Sequence, residues 1–124
     1  MILTAGPSIT QKEIDYVNDA VKTGWNNNWN SYLSKLEESF KEKFNAKHAL
    51  LTSSCTGAMH MALRAMGIGE GDEVIVPDLT WVATATVVNY AGATPVFVDV
   101  DRDTWTMDPD SFRNAITNKT KAVI

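Results

Sequence analysis

Apolar residues recur at helical spacing twice in the first 45 residues. The first set is Ile14, Val17 and Val21, and the second is Leu33, Leu36, Phe40 and Phe44. Both sets have the period of amphipathic helices. Thr10 followed by Glu13 has the spacing of a capping box, which predicts that the first helix begins after Thr10 and ends near Gly24. Asn45 is placed to end the second helix.

Short apolar runs then alternate with helical segments. Strands are predicted at 48–52, 73–77 and 94–99, and in the terminal run 119–124. Between them, Met59, Ala62, Leu63 and Met66 mark one face of a helix that Gly67 ends, 80–90 is helical, and Asp108 with Pro109 starts a helix running to about Ile116. This alternation predicts an α/β fold, a mostly parallel sheet with helices on both faces.

Composition narrows the class of protein. The 124 residues are 44% hydrophobic and 21% charged, which is typical of one ordinary globular domain. Eleven Lys and Arg against fifteen Asp and Glu provide no cationic surface, so we expect no nucleic-acid partner. One cysteine and two histidines form neither a disulfide nor a zinc set, which predicts a cytoplasmic protein without a metal. No apolar run approaches the roughly 20 residues that span a bilayer, so no membrane association is expected.

A first candidate site lies where a predicted strand leads into a helix. Residues 52–58 are small and rich in hydroxyl groups. Unpaired backbone N–H groups at a helix start, together with the positive end of the helix dipole, bind anions, and small side chains leave them accessible. This pattern indicates a phosphate site. The alternative is that Ser54 or Thr56 simply caps the helix.

A second candidate lies one strand later. Trp81 stands near the start of the helix that follows the 73–77 strand. Its indole could lie flat on a planar ring in the crevice beyond the strand ends, although simple packing of the indole is the alternative. A phosphate site and an aromatic plate in neighbouring units together indicate a planar, phosphorylated cofactor.

Three other features are interpreted structurally. The glycine-rich segment 67–71 follows a helix and precedes a strand, the reverse of a dinucleotide-binding motif, so it is predicted to be a turn. Residues 99–103 resemble the start of a calcium loop, but Thr104 occupies the glycine position, and we expect these aspartates to shape a turn. His60 is expected to be solvated or hydrogen-bonded.

Four segments, 53–63, 67–77, 79–85 and 92–101, closely resemble the DegT/DnrJ/EryC1/StrS family of aminotransferases that act on nucleotide sugars and use pyridoxal phosphate. The likeness extends from Gly24 to Ile124 in the family's order and spacing. Within the family, the chain is most similar to the branch that aminates a 4-keto sugar on a nucleoside diphosphate, which includes the lipid A arabinose transferases and the perosamine synthases.

The resemblance implies the N-terminal part of a fold-type-I large domain and a role for each matching residue. Thr56 and Gly57 would offer backbone N–H groups to the phosphate of pyridoxal 5'-phosphate, and Trp81 would stack on its pyridine ring. The loop with Trp25, Asn27 and Trp29 would lie near the substrate or a neighbouring subunit. The implied division is 1–30 for the N-terminal helix and this loop, and 31–124 for the first part of the large domain.

The resemblance also implies that the catalytic lysine lies beyond residue 124. No catalytic residue is therefore assigned within the chain, which is expected to be inactive alone. The implied partners are a nucleotide-linked keto sugar, an amino-acid donor such as glutamate, and a second copy in a homodimer. Two alternatives remain: a relative that binds cofactor or sugar nucleotide without catalysis, and a sugar dehydratase in which another residue replaces the lysine.

Overall fold

The computed structural model describes residues 6–124. The chain divides into two compact units, Met1–Leu51 and Thr52–Ile124. None of the helices within the described residues is long and apolar enough to cross a membrane. These units are defined by compactness alone. The predicted boundary at residue 30 separates segments by their expected function, and it stays a prediction.

The first unit contains two helices joined by a short turn. Helix α1 spans Gln11–Thr23, a 3₁₀ turn spans Asn26–Asn28, and helix α2 spans Ser31–Phe44. The capping box of Thr10 and Glu13 is formed as predicted. Asn45 ends α2 in the left-handed conformation, at φ 49°, which asparagine tolerates better than most residues. Both predicted helices are confirmed.

The second unit contains three helices and three strands. In chain order these are α3 (Cys55–Ala65), β1 (Glu73–Pro77), α4 (Ala83–Ala91), β2 (Thr94–Val98), α5 (Pro109–Ala115) and β3 (Thr120–Val123). The strands are parallel and lie in the order β2-β1-β3. The step from β1 to β2 through α4 and the return to β3 through α5 run in opposite directions across the sheet. Because such crossovers are right-handed, α4 and α5 lie on opposite faces, as the sequence predicted.

The hydrophobic core lies between β1 and the pair α3 and α4. Val74 and Val76 of β1 are fully buried in one cluster with Leu63 of α3 and with Val87 and Val88 of α4. Ile75 is also fully buried but lies outside this cluster, because side chains alternate between the two faces of a strand. Strand β1 is therefore covered on both faces, which explains its continuous apolar sequence.

Helices α3 and α4 run in the same direction. Arg64, in the last turn of α3, donates from Nη1 to the carbonyl of Ala91, the last residue of α4, at 3.2 Å. The ring of His60, one turn earlier on α3, meets the ring of Tyr90 edge-on with centroids 6.0 Å apart. Because α3 packs along α4 and their C-terminal ends lie together, the N-terminal ends of both helices lie at one edge of the sheet.

The turn between α3 and β1 is as predicted. Gly67 and Gly71 have φ values of +75° and +87°, which glycine adopts at little cost. The apolar face predicted for α3 is narrower than expected. Leu63 is buried and Met59 packs against the core, but Ala62 is exposed and Met66 is 61% exposed. Within the second unit, α3 packs mainly against α4.

One predicted strand and one predicted helix start are wrong. Residues 48–52 form no strand, because their backbone finds no ladder partner within residues 6–124. Helix α4 begins at Ala83 rather than Thr80. The backbone N–H of Asp78 donates to the carbonyl of Val98 at 2.9 Å, which continues the pairing with β2, so the chain turns away from the sheet only after this residue.

The aspartates after β2 shape a turn, as predicted. Oδ1 of Asp101 accepts from the backbone N–H groups of Asp103 and Thr104, at 3.1 and 2.8 Å, and from the Thr104 hydroxyl at 2.9 Å. These donors stabilise the charged carboxylate. They lower the pKa of Asp101, with the Thr104 N–H as the largest cause.

This lowered pKa predicts an acid-sensitive turn. A carboxyl group with a lower pKa in the folded state adds stability above its unfolded pKa, about 3.9, and this stability is lost as pH falls through the folded value. We expect NMR titration of the Asp101 carboxyl to give a midpoint below 3.9, with loss of Thr104 amide protection over the same range. Asp103→Asn, which leaves the three bonds to Asp101 in place, should not move this midpoint. A midpoint at or above the ordinary value would contradict the proposed cause.

Candidate functional site

Ser54 caps helix α3. Its backbone is extended, with φ −162° and ψ 157°, and its Oγ accepts from the backbone N–H of Gly57 at 3.0 Å. Its carbonyl accepts from the N–H of Ala58 at 3.0 Å, which is the first bond of the helix. The alternative interpretation, in which Ser54 is the cap, is therefore confirmed.

The cap leaves two donors of the first turn free. Within residues 6–124, the backbone N–H groups of Cys55 and Thr56 have no hydrogen-bond partner. They are the first two donors of the helix, where no intrahelical carbonyl is available. Cys55 is exposed and Thr56 is half-buried. A serine cap and an anion site are thus compatible here, because the cap takes the third donor and leaves the first two.

Gly57 leaves space beside these donors. A Cβ built on Gly57 would meet Ser54 Oγ at 3.4 Å, and no other atom within 4 Å apart from its chain neighbours and the helix backbone. The fold therefore does not require glycine for space here, and glycine inside a helix costs roughly 0.5–1 kcal/mol relative to alanine. A group that approaches the helix start closely, as a phosphate would, provides a reason for the missing side chain.

Trp81 lies on the connection from β1 to α4. Its carbonyl accepts from the N–H of Thr84 at 2.9 Å, so its backbone forms part of the turn that starts the helix. Its side chain is 79% exposed. Within residues 6–124 the indole is not packed against other side chains, as the alternative interpretation required. The ring face is available to a planar partner.

The two candidates share one edge of the sheet. Helix α4 begins where β1 ends, and α3 runs parallel to α4, so Thr56 and Trp81 both lie at the carboxyl edge of the strands. Ligands of open α/β sheets bind at this edge. The tertiary structure thus places at one edge of the sheet two residues that are 25 positions apart in sequence.

The loop with Trp25, Asn27 and Trp29 belongs to the first unit. Trp25 donates from Nε1 to the carbonyl of Val21 at 2.6 Å, which holds its indole against the end of α1. Asn27 is exposed in the 3₁₀ turn, and Trp29 is 71% exposed. Both indoles are exposed, and they differ in hydrogen bonding: Trp25 is bonded to its own helix, whereas no bond to the Trp29 indole is seen within residues 6–124.

His60 differs from the expectation. Its Nε2 is shielded from solvent and has no hydrogen-bond partner within the described residues, so the prediction of a solvated or hydrogen-bonded side chain is wrong for this atom. The reason is that α4 covers this face of α3, as the contact with Tyr90 shows. The hydrogen bond between Arg64 and Ala91 was also missed. The spacing of His60 and Arg64, one helical turn, places them on one face, but it does not identify the helix that packs there.

Two further features bear on ligand binding. Within residues 6–124, no group of three His, Cys, Asp or Glu side chains is placed to hold a metal ion. In the first unit, a groove of about 430 Å³ is lined by Tyr16, Tyr32, Leu33, Lys35, Leu36 and Ser39. None of the predicted site residues lines this groove.

Comparison with known proteins identifies the family. Residues 7–124 match the model of the DegT/DnrJ/EryC1/StrS aminotransferase family. The chain therefore belongs to this family, as its motifs indicated.

Curated relatives include two GDP-perosamine synthases. The chain is 46% identical over 118 residues to the one from Escherichia coli O157:H7, and the matched region is 95% of this chain and 32% of the relative. It is 42% identical over 123 residues to the one from Caulobacter vibrioides, covering 99% of this chain and 33% of the relative. The chain thus spans about a third of the length of the curated relatives it matches.

Solved structures confirm the fold class. An aminotransferase from Psychrobacter cryohalolentis superimposes with a TM-score of 0.86 and is 38% identical, over 97% of this chain and 31% of the other. A Streptococcus pneumoniae protein described as a sugar aminotransferase is 37% identical and has been solved in a PLP form and a PMP form, with TM-scores of 0.85 and 0.86. The PMP form is matched over 99% of this chain and 31% of the other. Both neighbours are described as aminotransferases, and the Streptococcus pneumoniae protein has been solved with either form of the cofactor.

The serine cap predicts a measurable contribution to stability. Ser54→Ala removes the acceptor for the Gly57 N–H, and loss of a helix cap costs about 0.5–2 kcal/mol. Urea unfolding should show this loss, whereas Ser53→Ala, which removes a neighbouring hydroxyl outside this bond, should change stability by less than about 0.5 kcal/mol. Equal stability of wild type and Ser54→Ala would show that the cap contributes nothing.

Proposed function

We propose that the whole protein, to which this chain contributes an N-terminal third, is a pyridoxal phosphate-dependent aminotransferase of nucleotide-linked keto sugars. One observation carries the proposal: two open N–H groups at the start of α3 and an exposed indole at the start of α4 lie at one edge of the sheet. A phosphate and a planar ring are the two recognisable parts of pyridoxal phosphate. The identity with GDP-perosamine synthases supports a keto sugar on a nucleoside diphosphate as substrate.

The residues present fit this cofactor. The N–H groups of Cys55 and Thr56 bind the phosphate, with the positive end of the α3 dipole behind them. Gly57 provides room for the phosphate to approach, and the Thr56 hydroxyl is within the same turn. Trp81 covers one face of the ring. In this proposal Gly57 acts mainly through its missing side chain, because Ser54 Oγ accepts its N–H.

The bound cofactor supplies an electron sink for transamination, and the residues of this chain hold and orient it. The catalytic lysine comes from the rest of the protein. Glutamate is the proposed amino donor. Trp29, with its free ring, and Asn27 contact the substrate or a second subunit of a homodimer, whereas Trp25 holds the loop against α1. The proposed location is the cytoplasm.

Reaction with glutamate tests the proposed chemistry. The whole protein loaded with pyridoxal phosphate should absorb in the near-visible range, and glutamate should bleach this absorbance by taking the cofactor to its amino form. Borohydride should fix the cofactor covalently to the protein before glutamate is added. A protein that binds the cofactor but shows neither response is not a transferase. It is then a binding relative or the dehydratase, because neither offers a lysine on which borohydride can fix the cofactor. Trapping without bleaching by any amino acid would favour other chemistry on the same scaffold.

Trp81→Ala tests the stacking role. Stacking of a planar ring on an aromatic side chain is worth roughly 1–3 kcal/mol, so the dissociation constant for pyridoxal phosphate should rise about 5- to 150-fold. Tyr90→Ala is the matched control, because Tyr90 is an exposed aromatic residue near the other end of α4. Equal cofactor affinity in wild type and Trp81→Ala would remove Trp81 from the site.

A further inference from the structure

The loop before α3 carries a hydrogen bond that the capping motif does not require. Oγ1 of Thr52 donates to the carbonyl of Ser54 at 2.9 Å. The same carbonyl accepts from the N–H of Ala58 at 3.0 Å. Both bonds of this carbonyl are therefore made, one to the loop and one to the helix.

These two bonds determine where the next N–H group points. The carbonyl of Ser54 and the N–H of Cys55 belong to one peptide plane, and in a trans peptide they point in opposite directions. The bond from Ala58 directs the carbonyl along the helix, so the N–H of Cys55 is directed away from the helix, toward the space before its first turn. The bond from Thr52 resists rotation of this plane from the loop side.

We infer that Thr52 is a positioning residue for the phosphate site: through the Ser54 carbonyl it keeps the Cys55 N–H directed at the bound phosphate. Thr52 itself need not touch the ligand. The inference rests on the proposed function, because it assigns a role within the proposed cofactor site.

The chemistry of threonine suits this role. Its branched Cβ restricts rotation about χ1, so the hydroxyl is held in place more firmly than that of serine. Thr52 is exposed, and the part of the chain described here offers its Oγ1 no other bond than that to Ser54. The hydroxyl therefore contributes little to the core, and its removal should act on the helix start rather than on the fold.

Binding of two cofactor forms tests the inference on the whole protein without its cofactor. Thr52→Val keeps the shape and removes the hydroxyl, and Thr52→Ala removes it without adding a methyl group. The dissociation constant for pyridoxal phosphate should rise about 3- to 10-fold in both variants, as expected for one hydrogen bond. Affinity for pyridoxal, which lacks the phosphate, should not change. Thr52→Ser should bind pyridoxal phosphate within about twofold of wild type.

Thr86→Val is the matched control. Thr86 makes the same kind of bond at the start of α4, from its hydroxyl to the carbonyl of Val82 at 2.9 Å. This variant should bind both compounds as wild type does. Thermal unfolding of every variant accompanies the binding measurements, so that a loss of folded protein is not counted as a loss of affinity.

Three outcomes overturn the inference. Unchanged pyridoxal phosphate affinity in Thr52→Val and Thr52→Ala shows that the hydroxyl does not position the site, while the proposed function stands. Equal losses for pyridoxal and pyridoxal phosphate show a general structural effect. A wild-type protein that binds neither compound overturns the proposed function and, with it, the role of Thr52.

Discussion

Parallel packing of α3 and α4 on one face of β1 is the constraint on which the candidate site depends. The buried contact among Leu63, Val76 and Val88 holds both helices against the strand, and the bond from Arg64 to Ala91 aligns their C-terminal ends. Two helices aligned at one end present their N-terminal ends together at the other. The apolar core therefore places the two unpaired N–H groups at the start of α3 and the exposed Trp81 before α4 at the same edge of the sheet, the carboxyl edge.

The start of α3 shows how a helix cap and open backbone donors occupy one turn. Ser54 satisfies the third N–H of the helix and leaves the first two open. The peptide plane between Ser54 and Cys55 is held from both sides, by Ala58 in the helix and by Thr52 in the loop. Stability and accessibility do not compete here, because a helix has more unpaired donors at its start than one side chain can accept.

Local sequence signals predicted the elements with a local cause. The capping box at Thr10, the left-handed Asn45 and the aspartate turn at Asp101 depend on side chains within four residues of the backbone they bind, so their patterns are sufficient. The strand prediction for residues 48–52 was wrong because a strand requires a neighbouring strand, and an apolar run does not indicate whether one is present. The predicted start of α4 was too early. The hydrogen bond between Asp78 and Val98 keeps the chain extended next to β2, so the helix begins later than the sequence pattern indicates.

The sequence by itself determined the alternation of strands and helices and the family, and it named the candidate site residues, because period, caps and ordered motifs are local properties of the chain. Only the tertiary structure decided that Ser54 takes the N–H of Gly57, that the indole of Trp81 is exposed, and that Nε2 of His60 lies buried beneath α4. The exposure of a side chain and its hydrogen-bond partners depend on which distant segment packs against it. That information arises only when the helices meet on the sheet.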